Sequence, residues 1–198
     1  MFRLPPVTQT LILINLAVLF ATTLGIRVPL DALVLWPLGP DFRPWQLLSY
    51  GFLHGDFSHL LFNMFGLYMF GADVEQVWGA KRFLNYYLIC VLSAALVQLV
   101  VALLMGSGSP TLGASGGVFG LLIAFALLFP NRVIVPLIPP IPMRAPIFVA
   151  LYGGVELLLG VTGTQAGVAH FAHLGGLAGG YCFIKFWPRG RSNGPRFR

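Results

Sequence analysis

Ser115, four histidines and Asn63 interrupt a chain made largely of apolar residues and glycine, and they fall in three short clusters. The first is His54-Gly55-Asp56-Phe57-Ser58-His59-Leu60-Leu61-Phe62-Asn63. His59 and Asn63 are four positions apart, so on a helix they share one face and offer side-chain N–H donors to one point. The second is Gly113-Ala114-Ser115-Gly116-Gly117-Val118-Phe119-Gly120. Ser115 stands where a helix would begin, and the unpaired N–H groups and positive dipole end there favour a developing anion. The glycines permit close backbone approach. The third is Ala169-His170-Phe171-Ala172-His173-Leu174-Gly175-Gly176-Leu177-Ala178-Gly179-Gly180, with His173 about one turn into a helix. A hydroxyl nucleophile, an imidazole base and two donors are the components of acyl transfer.

Each cluster also has a plainer reading. His59 and Asn63 suit a pair of interfacial or packing residues. Gly113/Gly117 and Gly116/Gly120 are both small-xxx-small pairs of the kind that pack membrane helices. A lone histidine on an apolar helix is commonly structural. The acyl-transfer reading therefore depends on whether the elements bring the clusters together.

The chain has 198 residues, 57% hydrophobic and 9% charged. Ordinary globular domains carry roughly a quarter charged residues, so lipid is the expected solvent and one domain, 1–198, is expected from the length. A spanning helix needs roughly 20 mostly apolar residues. Six segments qualify or nearly so: residues 7–25, 57–72, 83–105, 115–129, 146–161 and 168–187. The expected fold is an all-α bundle of six transmembrane helices with a long outer loop between the first two. The fourth segment is short and fed by Gly106-Ser107-Gly108-Ser109-Pro110, so it is expected to begin below the membrane surface, where irregular backbone must be buried or face a wet cavity. Pro-rich residues 136–146 read as a loop.

Placing the N-terminus inside and alternating puts Arg3, Lys81, Arg82, Arg132, Arg144, Lys185, Arg189, Arg191, Arg196 and Arg198 inside, and Arg27 and Arg43 outside. Ten against two is a strong positive-inside asymmetry. It accounts for the net charge of +6 without nucleic acid, and makes 188–198 a basic cytoplasmic tail. The second, fourth and sixth segments then all run from outside to inside. Each polar cluster sits at the start of its segment, so all three lie at one depth near the outer face. The glycine stripe Gly176/Gly180 suits tight packing of the sixth helix on the fourth, which would bring Ser115 to His173.

These motifs resemble those of the rhomboid intramembrane serine proteases: His59-x3-Asn63 on the second helix, Gly113-Ala114-Ser115-Gly116 on the fourth, and Ala172-His173-Leu174-Gly175-Gly176 with Gly180 on the sixth. The likeness covers nearly the whole chain and implies the bare six-helix form. It implies Ser115 as nucleophile and His173 as general base, a dyad without an acid third member. It further implies an oxyanion hole from His59, Asn63 and the Ser115 backbone N–H, and an accessory, structural role for His54. Residues 26–53 would form the outer loop. Two departures stand out. Trp45-Gln46 replaces the frequent Trp-Arg, with Arg43 as a substitute anchor, and Phe119 replaces a frequent Tyr beneath the base. The implied substrates are single-pass membrane proteins cut near the outer end of their helix after a small residue, in a bacterial plasma membrane, with no cofactor and no metal.

Glu156 lies inside the fifth apolar run, where a carboxylate is costly; it is expected to face the bundle interior or be protonated, in a structural role. Cys90 and Cys182 read as packing residues. A metalloprotease is disfavoured because no His-Glu-x-x-His occurs and no carboxylate shares the helix of His170 and His173. A transporter has only Glu156 in its favour. A catalytically weak or inactive rhomboid-like protein that binds membrane proteins is the remaining alternative, although such relatives usually lack the Ser or the His, and both are present.

Overall fold

In the computed structural model, which describes residues 4–137, 139–163 and 169–187, apolar helices form the body and the polar clusters gather at one end. Helix α1 (Pro6–Thr23) starts on a proline, whose missing N–H is no loss at a helix N-terminus. The next two backbone donors, Val7 N–H and Thr8 N–H, bond to the Glu75 carboxylate at 2.9 and 2.7 Å, and the Thr8 hydroxyl joins them at 2.7 Å. Glu75 belongs to α5 (Ala72–Trp78), so the start of α1 is tied to the far end of the second helical run.

That run is longer than the expected 57–72. Helix α4 (Phe57–Gly66) passes through a π-type turn, Leu67–Gly71, directly into α5. Helix α6 (Ala80–Met105) ends on Gly106, whose φ of 65° supplies the left-handed cap. Helix α7 (Ser115–Leu128), α8 (Ala145–Thr162) and α9 (His170–Phe186) complete the body. All six expected segments are helical where described, with ends displaced by a few residues; position 168, where the sixth was expected to start, lies outside the described residues, as does the basic tail.

By length and composition, α1, α6 and α8 are each able to cross a membrane. Their outward faces carry large apolar side chains such as Leu104, Leu158 and Val161, which are exposed. A surface of that kind has lipid as its natural solvent. Helix α7 is the opposite case. Every residue from Gly116 to Leu122 is buried, as expected of a helix apolar on all sides and ringed by others. Its 14 residues span about 21 Å at 1.5 Å per residue, short of a hydrocarbon core of ~30 Å.

Glycine sets how closely α9 approaches its neighbours. A β-carbon on Gly176 would fall inside the Gly116 carbonyl of α7. One on Gly180 would collide with the Tyr86 hydroxyl of α6, which itself donates to Gly120 O at 2.5 Å. The expected α7 partner for α9 is therefore present, and α6 is a second one: Gly175 lies against Ala94 and its carbonyl accepts from the Ser93 hydroxyl at 2.9 Å. Cys90 is buried in this seam, but Cys182 is exposed on α9 and does not pack in it.

Two loops differ from expectation. The stretch 136–146, expected to be a plain loop, takes in the second strand of a small antiparallel pair, Val133–Ile134 (β1) with Met143–Arg144 (β2), and the start of α8. The outer loop carries short helices α2 (Leu30–Leu33) and α3 (Gln46–Ser49) and a 3-10 turn, Tyr50–Phe52. Gln46 is fully buried and its side chain is the organising centre of this loop. Its Oε1 accepts from Arg43 N–H at 3.1 Å and Trp36 N–H at 3.3 Å, and its Nε2 donates to Asp41 O at 3.0 Å. Arg43 does not substitute for a missing anchor; among the described residues its guanidinium donates to the neighbouring carbonyls of Pro40 and Phe42 alone.

Candidate active site

The loop before α7 is pinned on two sides. Leu35 and Thr111 exchange backbone bonds at 2.9 Å, and Gly113 N–H donates to Tyr50 O at 3.0 Å. Gly113 has φ +129°, which L side chains rarely adopt, and a β-carbon there would meet the His59 ring at 2.8 Å. Both conditions select glycine. The chain then turns into α7 with Ser115 as its first residue.

Helix α9 brings His173 to that point. His173 Nε2 lies 2.8 Å from Ser115 Oγ, a hydrogen bond between residues 58 positions apart. The ring of His173 stacks on Phe119 with centroids 4.3 Å apart and planes 5° from parallel. Phe119 in turn stacks on Tyr152 of α8 at 5.3 Å. A phenyl ring thus fills the expected place beneath the imidazole, and the Tyr152 ring backs it from the far side.

The expectation of a base without an acid partner is corrected by α8. Glu156 is buried, and its Oε2 lies 2.8 Å from His173 Nδ1 and 2.7 Å from His170 Nδ1. Glu156 faces the bundle interior as expected, but it also reaches His173. The reason lies in the packing: α8 runs alongside α9, and His170 and His173, three positions apart, share the face turned to it. Phe148, Tyr152 and Glu156, spaced at four residues, share one face of α8, which the sequence shows without saying what that face meets.

These same three groups answer the question of a metal. Glu156, His170 and His173 each offer one ligand atom, all within 4.8 Å of one another. The carboxylate that the metalloprotease reading lacked does exist, on a neighbouring helix. Two ligands at ~2.0–2.1 Å on a tetrahedral ion sit roughly 3.3 Å apart, whereas the pairs here are at 2.7 and 2.8 Å. Those are hydrogen-bond lengths.

The first cluster closes the site from the opposite side. Asp56 caps α4, accepting from His59 N–H at 2.8 Å. The Ser58 hydroxyl, foremost, and then the His59 N–H hold the Asp56 carboxyl below its ordinary range. The His59 ring and Ser115 Oγ both lie within 3.7 Å of the point that a β-carbon on Gly113 would occupy. Asn63 is buried one turn below, and its Nδ2 donates to His59 O at 3.0 Å, which leaves the amide a second N–H. His54 is buried with its ring edge-on to His59 at 5.0 Å, so it touches an oxyanion candidate without reaching Ser115 or His173. Gly176 and Gly180 act through helix approach and contribute no group to the site.

The Rhomboid domain profile matches residues 41–189. The chain is 32% identical to Rhomboid protein 1, mitochondrial, of Saccharomyces cerevisiae over 140 residues, 66% of this chain and 38% of that protein. It is 34% identical to RHOMBOID-like protein 4 of Arabidopsis thaliana over 144 residues, 69% of this chain and 32% of that one. With Rhomboid protease GluP of Bacillus subtilis the identity is 37% over 78 residues, 39% of this chain and 14% of GluP. The matched regions thus span well under half the length of these three relatives. With the domain profile running from the outer loop to the end of α9, over a helical body suited to lipid, this chain belongs to the rhomboid family of integral membrane proteins.

Proposed function

We propose that this protein is an intramembrane serine endopeptidase that cleaves membrane proteins with Ser115 as nucleophile and His173 as general base. The observation that carries the reading is the 2.8 Å bond from Ser115 Oγ to His173 Nε2, made between two helices inside an apolar body. Serine is a weak nucleophile until an adjacent base takes its proton. In the first half-reaction Ser115 Oγ attacks the scissile carbonyl as its proton passes to His173 Nε2. The carbonyl oxygen becomes an oxyanion, held by the Ser115 backbone N–H, His59 and Asn63. On collapse the C–N bond breaks, His173 returns the proton to the leaving amine, and an acyl-Ser115 ester remains. Water, deprotonated by His173, then adds to the ester; the acyl C–Oγ bond breaks, His173 returns the proton to Ser115 Oγ, and the acid is released.

Orientation supports an outer-facing site. Arg132, just past α7, lies 3.6 Å from Asp73 of α5. With that charged end at the inner surface, the short α7 leaves Ser115 recessed beneath the outer one. The ten-to-two placement of basic residues makes that inner side cytoplasmic. The substrates are single-pass proteins cut near the outer end of their helix at a small residue, a preference carried over from the family resemblance, and a bacterial plasma membrane is the setting.

Labelling with a serine-directed fluorophosphonate, together with cleavage of model transmembrane substrates, tests the proposal. Wild-type protein is expected to label and cleave. Ser115→Ala and His173→Ala are expected to do neither while eluting as folded protein, Ser115→Ala with wild-type thermal unfolding and His173→Ala with a lowered one, since it removes a hydrogen bond to buried Glu156. Full activity in either folded variant would overturn the assignment, and a wild-type chain that neither labels nor cleaves would favour a non-enzymatic rhomboid-like protein.

A further inference from the structure

We propose that Glu156 is a positioning residue for this reaction: its carboxylate, shared with His170, fixes the tautomer and ring orientation of His173, so that the site is a Ser–His–Glu array built across three helices. The inference rests on the assignment of Ser115 and His173 above.

An ionised carboxylate only accepts hydrogen bonds. With Oε2 at 2.8 Å from His173 Nδ1, the proton of neutral His173 sits on Nδ1, and Nε2 is left with a lone pair. Nε2 is the nitrogen that faces Ser115 Oγ. The carboxylate therefore selects the one tautomer able to take the serine proton, and it faces the imidazolium formed when the proton arrives. That is the part a buried carboxylate plays behind the histidine of soluble serine proteases, where its neutral amide replacement lowers kcat by about 10⁴.

His170 belongs to the array because one hydrogen bond leaves a buried carboxylate poorly compensated. Its Nδ1–H supplies a second bond to the same oxygen at 2.7 Å. All three side chains are buried. The placement of Glu156 is also particular within the chain. The other five acids lie in the outer loop or near the ends of helical runs, at Asp31, Asp41, Asp56, Asp73 and Glu75. Glu156 alone sits well inside an apolar helix, at the point that meets the base. Tyr152, one turn earlier on α8, backs the Phe119 ring that stacks on His173. Helix α8 thus governs both the plane of the imidazole and its Nδ1 proton.

The test uses the full chain, wild type beside Glu156→Met, Glu156→Gln and His170→Ala. It reads kcat and KM on a model transmembrane substrate, the rate of fluorophosphonate labelling at Ser115, thermal unfolding, and the ¹⁵N NMR signals of the imidazoles. Glu156→Met removes the charge and both oxygen acceptors at similar volume, and a fall in kcat and labelling of ~10²–10⁴ is expected with KM nearly unchanged. Glu156→Gln keeps the shape and one acceptor oxygen, and covers the case in which the Met variant does not fold. A fall of similar order is expected there, as for the amide replacement in soluble serine proteases, and a smaller one for His170→Ala. The NMR readout does not need activity: wild-type His173 should be protonated at Nδ1, and that preference should be lost in Glu156→Met or weakened in Glu156→Gln.

A folded Glu156→Gln or Glu156→Met that labels at the wild-type rate overturns the inference, as does a wild-type His173 whose Nδ1 is unprotonated. Losses that only track lowered thermal stability also overturn it, in favour of a purely structural link. Stoichiometric bound zinc that disappears in Glu156→Met, with chelators abolishing cleavage, overturns it in favour of a metal centre. A wild type that does not label or cleave, yet shows the Nδ1-protonated His173, refutes the protease reading and leaves the positioning geometry standing.

Discussion

At the scale of single residues, the functional groups divide by how they meet Ser115. His173 touches it, and His59 lies across Gly113 from it. Asn63 is held a turn below with one N–H committed to the His59 carbonyl. If His59 and Asn63 donate to the oxyanion, removing either loses stabilisation that exists only in the transition state. His59→Ala and Asn63→Ala are each expected to lower kcat ~10²–10³-fold with little change in KM. Steady-state cleavage kinetics check this, and a loss confined to KM would make them binding residues instead. Their shared face was legible from the four-residue spacing. The role of Gln46 was not, because the bonds it makes depend on how residues 32–43 fold around it. A substitution that reads as a lost anchor turns out to be an anchor of another kind.

At the scale of elements, small residues decide how deep α9 sits. Gly176 meets the backbone of Gly116, and backbone cannot rotate aside as a flexible side chain can. Gly176→Ala should push α9 away from α7, separating His173 from Ser115. Overpacking costs about 1–3 kcal/mol, so lowered thermal unfolding and lowered activity are expected together. Gly154, also helical but with nothing within 4 Å, is the control. Gly154→Ala is expected to keep wild-type activity and to be neutral or stabilising by up to ~1 kcal/mol. Thermal melts of the pair check both. The Gly176/Gly180 stripe announced close packing on α7 from the sequence. That α6 would be an equal partner did not follow from it: Gly175 and Gly179, about 100° around the same helix, meet α6, and so does Gly180 of the stripe itself.

At the scale of the whole molecule, the loop 26–53, the start of α4, the start of α7 and the start of α9 gather at one end. The contacts Leu35–Thr111, Gly113–Tyr50 and Ser115–His173 join them. At the other end, Glu75 ties the start of α1 and Asp73 approaches Arg132. Two ends of this kind suit the two faces of a bilayer. In a Cys182→Ser background, which removes the exposed native thiol, a cysteine at Ser109 is expected to react with a membrane-impermeant maleimide added to intact cells. A cysteine at Asn131 is expected to react only after permeabilisation. The opposite pattern would invert the orientation and put the site on the cytoplasmic side.

Hydropathy, glycine spacing and charge asymmetry are local properties, and they were enough to expect the helices and the gathering of three polar clusters at one end. A helix carries its own period, and a membrane sorts its ends by charge, so neither needs knowledge of distant residues. The partner of Glu156 is of another kind. It depends on the rotation of α8 about its axis and on its offset along α9, both set by packing summed over several helices. A carboxylate 14 and 17 positions from its histidines carries no spacing that predicts the contact. The resemblance therefore led to a base without an acid, and only the tertiary structure put Glu156 behind His173.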